Sequence, residues 1–144
     1  MKETRTVQVF LLAETILFLS AATAHFTILS SGNPDTAAGT AETVIGLVLL
    51  AGLITTIVRE PLTRNAGLVA QLFALLGTLV GVFTIIVGVG PRTVIDVVIH
   101  TVMLALLVSG LVFTRRTMTV HNPAGTVQYA PIGHTPFCPV SENR

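Results

Sequence analysis

Four stretches of about twenty almost uncharged residues run through this chain, each long enough to cross a bilayer core as a helix. They lie at about 7–30, 42–58, 66–89 and 93–114, and breakers part them: Gly32-Asn33-Pro34-Asp35, then Glu60-Pro61, then Gly90-Pro91. The second stretch is short, so its helix is expected to begin earlier, near Thr36 or Thr40. Composition agrees. Of the 144 residues 51% are hydrophobic and only 10% are charged, where a water-soluble domain carries roughly a quarter. The predicted fold is therefore an all-α integral membrane four-helix bundle over residues 1–116, followed by an extended tail over 117–144.

The eight Lys and Arg residues set the expected orientation. Lys2, Arg5, Arg59, Arg64, Arg115, Arg116 and Arg144 fall on one side of the four spans, and Arg92 falls on the other. Cytoplasmic loops carry the excess of basic residues, which predicts a multi-pass protein of the inner (plasma) membrane with both termini in the cytoplasm. A cleaved signal peptide is the rival for the first span, because Ala22-Thr23-Ala24 resembles a cleavage site. Glu14 would interrupt its apolar stretch, so the segment is read as a helix.

Several function classes drop out. A net charge of +1 gives no electrostatic basis for nucleic-acid binding. One cysteine excludes an intramolecular disulfide framework. No P-loop, G-x-S-x-G, H-E-x-x-H or dinucleotide fingerprint occurs. Four spans without an inverted repeat of broken helices do not suggest a carrier. The tail holds four of the seven prolines, which suits an extended cytoplasmic segment. Its His121, His134 and Cys138 match no zinc spacing.

The chemistry, if any, lies in polar residues inside the spans, because an ionisable group in hydrocarbon is costly and needs a reason to be there. These are Glu14, His25, Gln71, Asp96 and His100, with Glu42 and Arg92 at span ends. Helical rise puts His25 and His100 about 8 Å and 10 Å below the outer boundary. They can meet if the first and fourth helices are neighbours. Asp96 and His100 are four apart on one face, and Arg92 is four earlier again, with Pro91 suited to a first helical turn. Glu14 and His25, eleven apart, share a face of the first helix.

His25, Asp96 and His100, with Glu42 as a fourth member, form a competent ligand set for zinc, copper, iron or manganese near the outer face. In an alternative arrangement the Asp96 carboxylate accepts the second ring N–H of His100 and fixes its tautomer. A b-type haem between His25 and His100 is the rival cofactor, with Arg92 on a propionate. A small-residue stripe on the third helix, Ala70, Ala74, Gly77, Gly81, Thr84 and Gly88, leaves room for close packing or a flat ring. Plain polar packing is the competing explanation: an Arg92–Asp96 ion pair, a solvated Glu42 capping the second helix, and the histidines bonding across helices. Glu14 and Gln71, in the cytoplasmic half, are expected either to form an uncharged interhelical hydrogen bond or to belong to a proton relay.

Two resemblances bear on this. The block Gly77 to His100 (GTLVGVFTIIVGVGPRTVIDVVIH) resembles small, uncharacterised four-span bacterial membrane proteins, which implies the fold but no activity. Asp96-Val97-Val98-Ile99-His100 resembles the D-x-x-x-H copper-binding pair in the membrane C subunit of particulate methane and ammonia monooxygenases. There a further His lies downstream; here the candidate third ligand, His25, comes earlier. The sequence thus leads to a membrane metal-binding protein that, if redox-active, would act on a quinone or apolar small molecule reaching it from the bilayer. The alternatives are a small b-type cytochrome passing electrons and a non-catalytic accessory subunit. A homo-oligomer or a larger membrane complex is the expected assembly.

Overall fold

The computed structural model describes residues 2–27, 35–89 and 93–116. They form four helices, α1 (Lys2–Thr27), α2 (Thr36–Val58), α3 (Thr63–Val87) and α4 (Val94–Arg116), with one 3-10 turn (Glu60–Leu62) between α2 and α3. All four are long and apolar enough to cross a membrane, and no strand occurs among the described residues. Arg92, His121, His134 and Cys138 lie outside those residues.

The helices overrun the apolar stretches because backbone hydrogen bonding continues after hydropathy falls. α1 takes in Lys2-Glu3-Thr4-Arg5, and α4 runs through Arg115-Arg116. α2 starts at Thr36, where Asp35 caps it by accepting from Ala38 N at 3.0 Å. α3 stops two residues earlier than the hydropathy suggests. Gly88 adopts the left-handed conformation (φ 83°), and its N–H turns back to Thr84 and Ile85. Gly88 thus ends the helix instead of continuing the small-residue stripe.

Each helix packs on its neighbours in sequence, and α1 also packs on α4, which closes the ring. The core is a column of aliphatic and aromatic side chains, with Leu11, Phe18, Leu49, Ala74, Met103 and Leu107 among its most buried members. Large apolar side chains such as Val69, Val80, Ile86 and Val94 point outward instead, the pattern expected where lipid is the solvent. Small residues set the helix spacing. A Cβ at Gly52 would lie 2.7 Å from the Ala70 Cβ, so α2 and α3 approach closely there.

Candidate functional site

Two buried polar clusters sit at opposite ends of the bundle. The first joins α1, α2 and α4 where α1 ends and α2 and α4 begin. His25, Glu42 and Asp96 project into it at 2%, 5% and 1% exposure. His25 Nε2 lies 3.4 Å from Glu42 Oε1 and 3.9 Å from Asp96 Oδ1. Both separations exceed a good N–H···O hydrogen bond. Both ring nitrogens of His25, both oxygens of Glu42 and Oδ1 of Asp96 are buried without a hydrogen-bond partner among the described residues. Buried polar groups are normally paired, so five orphaned atoms at one point need an explanation.

Local sequence explains why Asp96 is held. Thr93 and Asp96 form a reciprocal cap at the start of α4. Thr93 Oγ1 accepts from Asp96 N at 3.1 Å, while Asp96 Oδ2 accepts from Thr93 N at 3.2 Å and from the Thr93 hydroxyl. The Thr-x-x-Asp pattern is visible in the sequence and could have identified this cap. The cap uses one carboxylate oxygen and leaves Oδ1 facing His25. Glu42 is nearly two turns inside α2 and buried. It is not a solvated helix cap, because Asp35 fills that place.

His100 is placed differently from the sequence expectation. Its Nδ1 pairs with the backbone oxygen of Asp96 at 2.8 Å, not with the carboxylate. An i, i+4 ring can reach the carbonyl one turn back, and Thr93 already holds the carboxylate oxygen on that side. His100 Nε2 faces α3, where a Cβ on Gly81 would lie 3.0 Å away. His100 therefore lines the chamber beside the cluster, but its free nitrogen is not directed at His25.

That chamber is a cavity of about 260 Å³ bordered by residues of all four helices, with α2 and α3 supplying most of its wall. His25, Glu42, Asp96 and His100 all border it. Ala37, Ala41, Gly77 and Gly81 contribute small residues to its walls, Ile45, Ile85 and Met103 apolar ones, and Asp35, Thr78 and Thr84 further polar groups. Among the described residues no group of three or more His, Cys, Asp or Glu side chains is arranged to hold a metal ion.

The second cluster joins α1, α3 and α4 nearer the termini. Gln71 Nε2 donates to Glu14 Oε1 at 3.0 Å and to Oε2 at 3.3 Å, and Thr114 Oγ1 donates to Gln71 Oε1 at 3.1 Å. Glu14 and Gln71 are fully buried, and every side-chain oxygen of this pair has a partner. Thr114 and Gly110 were not apparent in the sequence. Gly110 matters because a Cβ there would overlap Gln71 Nε2 and Glu14 Oε1. The two clusters therefore contrast: one is saturated and the other is not.

Comparison with protein-family models, with curated proteins and with solved structures finds no match for this chain.

Proposed function

We propose that this chain is an integral membrane metal-binding protein whose ion sits among His25, Glu42 and Asp96, near the outer face of the plasma membrane. The five partnerless buried atoms carry this reading. Two carboxylates and an imidazole form a hard-to-borderline donor set suited to zinc, manganese, iron or copper. Ligands at about 2.0–2.2 Å from one tetrahedral ion lie about 3.3–3.6 Å from each other. The 3.4 Å edge from His25 to Glu42 falls within that span, and the 3.9 Å edge to Asp96 is a few tenths longer. A shift of Asp96 Oδ1 by a few tenths of an ångström toward His25 would bring that edge into range, with the cavity beside the cluster as the place for a fourth ligand.

The orientation rests on the basic residues. Seven of the eight lie at the start of α1, around the α2–α3 turn, at the end of α4 or in the segment after it, which supports cytoplasmic termini and a His25 cluster at the opposite face. Donor directions favour an ion over haem: His25 Nε2 is turned to the two carboxylates, and His100 Nε2 to the Gly81 backbone.

Elemental analysis with an absorption spectrum, on protein purified without chelator, tests the proposal. The expected result is about one zinc, copper, iron or manganese per chain, lost in His25→Ala, Glu42→Gln and Asp96→Asn and retained in Glu14→Gln. A Soret band, or no ion retained after reloading with each metal in turn, overturns it; the second result leaves the cluster as polar packing in an accessory subunit.

A further inference from the structure

We infer that the cavity beside the ion is a binding chamber for an uncharged phenol or hydroquinone, with its ring between α2 and α3 and its hydroxyl on the His25–Glu42–Asp96 cluster. This rests on the ion reading in one respect: with an ion on the cluster its charge is met, and a neutral ligand is favoured. The volume supports a ligand beyond the ion. A single water needs only roughly 10–15 Å³ of such space, and the cavity holds about 260 Å³.

The walls select the shape. Ala37 and Ala41 on α2, and Gly77 and Gly81 on α3, are two pairs each one helical turn apart, and all four line the cavity. Ala37 and Ala41 project no more than a methyl group, while Ile45 packs over Gly77 and the flat His100 ring over Gly81, so the remaining space, walled by small and flat side chains, suits a flat ring. Met103 at the inner end offers a thioether that packs well against aromatic edges.

The polar end selects the head group. No Lys or Arg lines the cavity among the described residues, whereas three carboxylates, Asp35, Glu42 and Asp96, do, so an anionic ligand is refused. With Glu42 Oε1 and Asp96 Oδ1 turned to His25, the second Glu42 oxygen remains a buried acceptor without a donor. A phenolic O–H supplies the missing donor. Entry is lateral: Val80 on α3 and Val89 just beyond its end line the cavity and are more than half exposed. A molecule dissolved in the bilayer can reach the chamber there without crossing water.

The test is binding of 2-decylhydroquinone and of its dimethyl ether, under argon, to the full-length protein in lipid nanodiscs, with metal content measured on the same samples. The two probes share shape and apolarity, and only the first donates. The expected result is one saturable site that prefers the hydroquinone by about tenfold to a hundredfold, the range set by a hydrogen bond to a charged acceptor. Ala41→Phe, which fills the chamber from a side chain about 100° around α2 from Glu42, should abolish saturable binding and keep the metal. Metal retained with no preference over the ether, or binding unchanged by Ala41→Phe, overturns the inference. Saturable, selective binding without metal keeps the chamber and sinks the ion. Neither metal nor selective binding sinks both.

Discussion

Gly110→Ala tests the second cluster most directly. A methyl group at that position would occupy the space of Gln71 Nε2 and Glu14 Oε1 and would also press on Phe10, whose Cδ1 lies 3.2 Å from the added atom. Overpacking a core in this way costs about 1–3 kcal/mol. The displaced pair also loses interhelical hydrogen bonds, each worth about 0.6 kcal/mol on average and about 1.7 at most in a membrane protein. Against that, alanine gains about 1 kcal/mol over glycine in a helix interior. The net expectation is a loss of about 1–3 kcal/mol, read from reversible unfolding in mixed micelles by far-ultraviolet circular dichroism. The decisive control is the double variant Gly110→Ala with Gln71→Ala. Shortening Gln71 clears the nearest of the groups the methyl meets and frees Glu14 to move, so the two changes should fall short of additivity by about 1 kcal/mol, as contacting residues do. Gly110→Ala at wild-type stability, or additive behaviour, would refute the packing argument.

Three further outcomes follow from single positions. Gly88→Ala places a Cβ on a left-handed residue (φ 83°) and should lower stability by about 1–2 kcal/mol in the same unfolding assay; an unchanged midpoint would mean that α3 does not end in this way. Thr93→Val removes the reciprocal cap of α4 and should cost about 1 kcal/mol. It should also weaken metal retention on dialysis, because Asp96 loses the partner that orients it, and a variant holding its ion as tightly as wild type would detach Asp96 from the site. Gly81→Ala crowds His100 Nε2 and should reduce hydroquinone binding while leaving metal content unchanged, since that nitrogen is not among the proposed donors; loss of the metal would bring His100 into the ligand set.

The four helices were legible because hydropathy and breakers speak through composition alone: Gly32-Asn33-Pro34-Asp35 and Glu60-Pro61 separate apolar stretches whatever their packing. Helix ends were less so. Lys2 to Arg5 are polar yet helical, and Gly88 looked like a small face residue until its backbone was seen to turn. The depth of the polar residues could be counted from helical rise, which suggested that His25 and His100 lie at nearly one level. Which atoms meet could not be counted, since it depends on how each helix rotates about its axis. Asp96 and His100 share a face by spacing, yet the carboxylate is held by Thr93 and turned to α1, so the ring falls back on a carbonyl. Gly110 is an ordinary glycine in an apolar helix until Gln71 and Glu14 are seen to fill the space its missing side chain leaves.

The contrast between the two clusters itself makes a prediction of opposite sign. Glu14, Gln71 and Thr114 satisfy one another, and a group so paired contributes to stability; removing one partner strands the others. Glu42, by contrast, is buried without a hydrogen-bond partner, and such a group costs about 1–3 kcal/mol until something pairs with it. Glu42→Met, similar in volume, should therefore raise stability by about that amount when a chelator is present, whereas Gln71→Met should lower it. Added metal should reverse the first effect only. Wild type gains about 2.7 kcal/mol at a metal concentration a hundred times the dissociation constant, and Glu42→Met, lacking a donor, gains much less. Unfolding curves with chelator and with excess metal, for three proteins, suffice. If Glu42→Met is destabilised in chelator by as much as Gln71→Met, Glu42 is structural polar packing, and the case for a ligand at the His25 end of the bundle fails.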